Sequence, residues 1–291
     1  MFDVIIGNPP YQEKKPEFRK SQRIWPFFTE RSLDILSQDG YLSFIHPSGW
    51  RNIDGAFKKI QKKMLSKQFV YLEIHDVKDG EKTFGACTRY DWYIIRNSEP
   101  SDVTEIKSQD GLIYFYDISK WEFIPNGMLD EIFSLLAKDG EEKIVTKYTC
   151  KYSSSNTKII SPRKTDEFQY PCVTHVSCKN DLPSKVYYSS VSDPEFNIPK
   201  LIVGRLTSGV MEDFHSGIGT TQHTFCITTG DTYFISASIE ELLKIKKVMK
   251  SKEFLDLMKF CDVGGIKDWY PRSVVRSLRK DFWKEFINDE I

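Results

Sequence analysis

Asn8, Pro9, Pro10 and Tyr11 follow directly on a short apolar run, Phe2 to Ile6, that is closed by Gly7. Such a run suits a buried strand, and the carboxyl end of a strand in an open α/β sheet is where ligands usually sit. Each proline pushes the residue before it into an extended conformation, which holds Asn8 and Pro9 away from helix. Proline also lacks an N–H, so its carbonyl is a pure acceptor. The turn therefore presents two acceptors, the Asn8 amide oxygen and the Pro9 carbonyl, toward one point. A planar NH2 group is what such a pair would grip. Its nitrogen lone pair is delocalised and is a poor nucleophile, but two accepted hydrogen bonds favour a pyramidal nitrogen with the lone pair turned outward. A methyl on a sulfonium centre placed in line is then transferred through positioning and electrostatics. Tyr11 adds an aromatic face for a base extruded from a duplex, and stacking of this kind is worth ~1–3 kcal/mol per base.

The elements around this loop alternate. A helical pattern covers about Trp25 to Ser37, with Pro26 tolerated in its first turn. Tyr41–His46 reads as a strand ended by Pro47-Ser48-Gly49, a second helix runs from about Asp54 to Ser66, and strands follow at Phe69–His75 and Asp91–Arg96. Strand, helix, strand, helix, strand is the pattern of an α/β sheet with parallel crossovers. Beyond it the chain is rich in Ser, Thr, Tyr and Asn, with short strand-like runs at Lys200–Leu206, Thr224–Thr228 and Tyr233–Ser236. Helices are predicted at about Ile239–Lys250, Glu253–Phe260 and Arg272–Ile287. This second region reads as a separate α+β module.

Asn8-Pro9-Pro10-Tyr11 resembles motif IV of the amino methyltransferases, in the form typical of the DNA adenine-N6 group. The similarity continues through Gly40-Tyr41-Leu42-Ser43-Phe44-Ile45-His46-Pro47-Ser48-Gly49-Trp50, which resembles the next strand and loop of that family. Phe84-Gly85-Ala86 followed by Trp92-Tyr93-Ile94-Ile95 resembles its later motif, whose aromatic residue packs against the flipped base. The spacing is most like the Eco57I-type restriction-modification methylases. The resemblance implies that Asn8, Pro9, Pro10 and Tyr11 are catalytic, that Tyr11 and Phe84 stack on the base, and that Asn8 also borders the S-adenosylmethionine. The expected architecture is the C-terminal half of a Rossmann-like methyltransferase sheet in residues 1–130, followed by an α+β target-recognition domain in residues 131–291. In that family a Phe-x-Gly-x-Gly turn and an acidic residue that bind the cofactor precede motif IV. Here they are expected to be missing, so a second polypeptide is a candidate source of the cofactor-binding half. Asp213 to Thr221 superficially resembles the glycine-rich cofactor turn of permuted methyltransferases. A strand pattern follows it where a helix should open, so it reads as a recognition-domain hairpin.

Composition narrows the field. The 291 residues carry 41 basic and 41 acidic side chains, so contact with double-stranded DNA must rest on local patches. Lys14, Lys15, Arg19, Lys20 and Arg23 form one such cluster after the motif, and Arg272, Arg276, Arg279 and Lys280 form another. Trp50 and Arg51, on a loop at the active-site edge, and Gln222 and His223, which can read base edges, are further candidates for DNA contact. Six scattered cysteines without CxxC pairs and five dispersed histidines exclude a recognisable structural metal site, so none is expected. Reduced thiols and the absence of a signal-like start or a long apolar run point to a cytoplasmic protein. Two other functions stay open: a DNA-recognition remnant or subunit without activity, and an amino methyltransferase acting on RNA or on protein glutamine.

Overall fold

The computed structural model describes residues 1–13, 22–52, 57–147, 156–192, 198–213, 226–227, 232–264 and 268–287. It divides into two units. One comprises Met1–Asp130 with Phe260–Ile266, the other Glu131–Lys259 with Lys267–Ile291.

In the first unit β1 (Phe2–Gly7) leads through the small hairpin β2 (Gln12–Glu13) and β3 (Gln22–Arg23) into α1 (Trp25–Ile35), which carries Pro26 in its first turn. Then come β4 (Leu36–Pro47), α2 (Lys58–Leu65), β5 (Gln68–His75), α3 (Val77–Phe84), β6 (Tyr90–Arg96), β7 (Thr104–Lys107) and β8 (Ile113–Tyr116). The six long strands form a mixed sheet in the order β1-β4-β6-β5-β7-β8. β1 is parallel to β4 and β5 to β7, whereas β6 lies antiparallel between β4 and β5. The expected parallel crossovers therefore relate β1, β4 and β5, whereas β6 returns antiparallel between β4 and β5. Only the glycine-capped α3 and a short loop separate it from β5, which allows an antiparallel return.

Register shows how unequal the two faces are, because hydrogen-bonded neighbours share a face. One row runs Gly7–Phe44–Tyr93–Leu72–Ile106–Tyr114 across all six strands. Phe44, Tyr93, Leu72, Ile106 and Tyr114 are all buried, and on the same face His46 stacks on Trp25 of α1 with ring centroids 3.9 Å apart. The neighbouring row of the other face runs Ile6–Ser43–Ile94–Tyr71–Glu105–Phe115. Ile6 is 77% exposed and Phe115 60%, and on the same side Val4, Tyr41 and Ile113 are exposed as well.

β1 is therefore an edge strand with an exposed face, and the expectation of a buried strand is corrected. Phe2 and Val4 are each 57% exposed. Their apolar character is real, but among the described residues nothing covers them.

Helix α4 (Leu129–Leu135) carries the chain into the second unit. Its two four-stranded sheets have the orders β10-β12-β11-β15 and β14-β13-β16-β9. The strands are β9 (Thr146–Lys147), β10 (Ile160–Ser161), β11 (Tyr170–Val176), β12 (Pro183–Ser189), β13 (Lys200–Gly204), β14 (Val210–Asp213), β15 (Cys226–Ile227) and β16 (Thr232–Ile235). β13 and β16 bury Leu201, Ile202, Val203, Tyr233, Phe234 and Ile235. Helix α5 (Ile239–Met249) adds Leu242, Ile245, Val248 and Met249 and begins at a Ser238–Glu241 capping box. After α6 (Lys252–Lys259), the long helix predicted over Arg272–Ile287 is instead the four-residue α7 (Arg272–Val275) and a 3₁₀ turn at Phe282–Glu285. Leu278 and Arg279 bridge to Leu136 and Lys143, so strand-like pairing displaces helical hydrogen bonds there.

Candidate functional site

The Asn8–Tyr11 loop leaves the sheet at the end of β1, where Gly7 lies against the Phe44 ring; a Cβ there would stand 3.2 Å from it. Asn8 and Pro10 are exposed, Pro9 is buried and Tyr11 is half-buried. The Tyr11 carbonyl accepts from the Ile24 backbone N–H at 3.1 Å, which ties the loop to the start of α1. The Tyr11 hydroxyl is buried and has no hydrogen-bond partner among the described residues; burial raises its pKa.

Phe84 reaches the same place from a separate element. Helix α3 is delimited by chemistry visible in the chain. The Asp76 side chain accepts from the Asp79 N–H at its start, and Gly85 takes the left-handed conformation at φ 66° at its end. Gly80 is required by close approach, because a Cβ there would lie 1.9 Å from the Thr88 carbonyl oxygen. The helix consequently packs onto the 86–88 backbone and presents Phe84 to Tyr11. The two rings meet edge to face, with centroids 6.1 Å apart and planes at 74°. Tyr90 supports Phe84 from behind at 4.9 Å and stacks in turn on His75 at 4.3 Å. Burial, with the Asp79 carboxylate bonded to its hydroxyl, pushes Tyr90 up to about 12. Phe84 is thus braced from behind by Tyr90.

On the side of Tyr11 toward α1 lies a cleft of about 390 Å³. Trp25 and Phe57 line its apolar part, and Arg23, Ser48, Thr88 and Arg89 line its polar part. Ser48 donates to the Val263 carbonyl at 2.7 Å, which fixes the loop after β4. Arg89 and Thr88 carry no motif and were not singled out from the sequence. Their signal lies in position, just after the glycine-capped helix that ends at Phe84.

The structure corrects two of the DNA-contact expectations. Trp50 and Arg51 are fully buried. Arg51 donates to the Asp91 carboxylate at 2.9 Å, to the Ile124 and Pro125 carbonyls at 2.8 and 3.2 Å, and to the Asn126 amide oxygen at 2.7 Å. This guanidinium is a structural tie, and Trp50 packs on Phe69 at 5.3 Å. Neither can reach a phosphate. Lys14, Lys15, Arg19 and Lys20 lie outside the described residues, as do Gln222, His223 and the glycine pair of the 213–221 segment. In the second basic cluster, Arg279 pairs with Glu285 and Lys280 with Glu142. Among the described residues no group of His, Cys, Asp or Glu could hold a metal ion, and no helix is long and apolar enough to cross a membrane.

Residues 1–84 match the family described as Eco57I restriction-modification methylase. The type II restriction enzyme and methyltransferase RM.Eco57I of Escherichia coli is 29% identical over 119 residues. That match covers 35% of this chain and 12% of the relative, so the chain spans a small part of the curated relative's length. The N-terminal region is thus related in sequence to restriction-modification methylases. Among solved structures, the type IIL restriction-modification enzyme MmeI in complex with DNA aligns with 94% of this chain and 46% of its own, at 9% identity and a TM-score of 0.45. A modification subunit of a putative type I restriction enzyme from Vibrio vulnificus YJ016 aligns with 45% of this chain and 30% of its own, at 17% identity and a TM-score of 0.29.

Proposed function

We propose that this chain is the base-gripping part of a site-specific DNA adenine-N6 methyltransferase of a restriction-modification system. The observation that carries the reading is the meeting of Tyr11 and Phe84 beside an exposed Asn8, at the carboxyl end of a sheet strand. In this reading the Asn8 side-chain oxygen and the Pro9 carbonyl accept from the two N–H groups of an adenine extruded from the duplex. Tyr11 turns from its edge-on contact to lie along one face of the base, and the braced Phe84 covers the other. Asn8 and Pro9 orient the amino nitrogen, and the closed aromatic walls exclude water from it. Residues 131–291 take the role of target recognition.

S-adenosylmethionine is the proposed donor and, when bound, supplies an electrophilic methyl group. The residues present fit it in part. Asn8 offers one wall, but only Asp3 provides a carboxylate within β1, and no glycine-rich turn is described beside that strand. What the sheet does offer is an unpaired parallel edge at β1 and the open face of Val4, Ile6 and Tyr41. The exposed apolar residues cluster at this edge, where Phe2, Val4, Ile6 and Tyr41 all face solvent, and exposed apolar patches mark interaction surfaces. The cofactor-binding half of the sheet, with a strand against β1 and a helix over the open face, is the occupant we propose, from further coding sequence or a second polypeptide.

The test is to incubate the protein and its completing half with adenosylmethionine and duplex DNA and to measure N6-methyladenine by mass spectrometry. Methylated adenine that disappears with Asn8→Ala supports the reading. Label in RNA or protein glutamine, or activity unchanged by Asn8→Ala, would refute it. The open edge also favours a second reading, a recognition subunit that binds DNA without methylating it. In that case DNA binding persists and no completing half yields methylated adenine.

A further inference from the structure

We infer that the 390 Å³ cleft beside Tyr11 is a phosphate-binding subsite that holds the backbone of the extruded nucleotide, with Arg89 and Arg23 as its cations. The inference rests in part on the proposed function for the identity of the ligand, but the site itself is argued from its own chemistry.

The first observation is charge. The chain as a whole has equal numbers of acidic and basic residues, yet among the described residues this cleft is lined by two arginines and by no carboxylate. Its remaining polar lining, which includes Ser48, Thr88, Gln12 and Asn52, is neutral. Side chains of this kind position phosphates in protein–DNA interfaces.

The second observation is the state of Arg89. Its guanidinium donates to the neutral Gln109 amide oxygen at 2.5 Å, while its Nε is buried with no hydrogen-bond partner among the described residues. Burial, reinforced by the Arg51 guanidinium, pulls its pKa below the usual arginine value, although the Asp262, Asp76 and Asp91 carboxylates favour its charge. Arg89 thus has hydrogen-bonding capacity left over for an incoming anion, since no carboxylate is hydrogen-bonded to its Nε among the described residues. Arg51 shows the contrast within the same unit, since its Nε is paired directly with Asp91.

The third is placement. Arg23 belongs to the hairpin that follows the catalytic loop, pairs in register with Gln12, and lies over the Phe57 ring at 5.2 Å. Arg89 follows Phe84 by five residues. The two cations are therefore carried by the same two segments that carry the stacking rings, and Tyr11 forms part of the wall of the cleft. A base lying on Tyr11 would have its sugar and phosphate beside this cleft, whose volume suits a ligand at the small end of the usual range. A guanidinium fork is matched to phosphate oxygens.

The test uses the whole chain and three small probes, followed by calorimetry: deoxyadenosine 3′,5′-bisphosphate, deoxyadenosine, and inorganic pyrophosphate. The bisphosphate should bind at least tenfold more tightly than the nucleoside, and Arg89→Gln or Arg23→Gln should remove most of that preference. Asn8→Ala should weaken nucleoside and bisphosphate alike and leave the ratio between them unchanged. Pyrophosphate binding that depends on Arg89, with no adenosine binding, would sustain the phosphate subsite while refuting the adenine reading. Arg89→Lys restores a charge without the fork and should recover part of the preference, which separates charge recognition from misfolding. Equal affinities for bisphosphate and nucleoside, or a preference untouched in Arg89→Gln protein of unchanged melting temperature, would overturn the inference.

Discussion

The two faces of the six-stranded sheet are built from the same strands and have opposite fates. On one, Leu42, Phe44, Leu72 and Tyr93 are buried. On the other, Val4, Ile6, Tyr41, Ile113 and Phe115 remain exposed. Only the parallel pairing with β4 holds β1 in the sheet among the described residues, and its exposed apolar residues are the surface to which the proposed cofactor-binding half would be complementary. Stability resides on the covered face. The open face contributes little to it and is available for association.

The largest effects should come from the covered side. Arg51→Ala leaves Asp91 buried and unpaired at 0% exposure of both side chains, and should cost about 3–5 kcal/mol, read as the loss of denaturation midpoint. Phe44→Ala should cost a similar ~3–5 kcal/mol through the cavity it opens. If either change proves neutral, the face is not the core described above.

A pH titration sharpens the contrast further. His46 is fully buried between Trp25 and the Tyr93 hydroxyl at 2.9 Å, and burial lowers its pKa from 6.5 to about 3. The unfolded chain therefore binds a proton that the native state refuses between those values. Stability from this group is complete above about pH 6.5 and falls by up to ~1.4 kcal/mol per pH unit as pH drops toward 3. His46→Gln should remove that slope from the pH dependence of chemical denaturation. A slope that persists unchanged would place the titration elsewhere.

At the candidate site, Tyr11→Ala should weaken adenine binding by ~1–3 kcal/mol with little change in melting temperature. Calorimetry with deoxyadenosine measures the first and a thermal scan the second. The smallest stability effect belongs to the open face. Ile6→Asp should shift stability by no more than ~0.5 kcal/mol, yet abolish association with the completing half in a pull-down. A strongly destabilised Ile6→Asp protein would show that the face is covered after all.

These contrasts also show what could be read in the chain. The Asn8–Tyr11 loop, the α1–β4 succession and the strand positions of β5 and β6 follow local rules of proline geometry and alternation, and were legible. Whether Phe2, Val4 and Ile6 are covered was not, because an apolar strand states only that it can be buried. Arg51 looked like a loop cation after Pro47-Ser48-Gly49, since its partners Asp91 and Asn126 lie 40 and 75 residues away. Helix α3 was legible in retrospect from Asp76 and Gly85. The cleft was not, because Arg23 and Arg89 converge only after the hairpin and α3 have folded.

The most direct test of the central claim is methylation of DNA in cells that lack adenine methylation. The chain, expressed together with a cofactor-binding methyltransferase half, should introduce N6-methyladenine detectable by mass spectrometry, and Asn8→Ala should abolish it. Methylated adenine that persists in the Asn8→Ala strain, or a methyl group found only on cytosine, RNA or glutamine, would contradict the account.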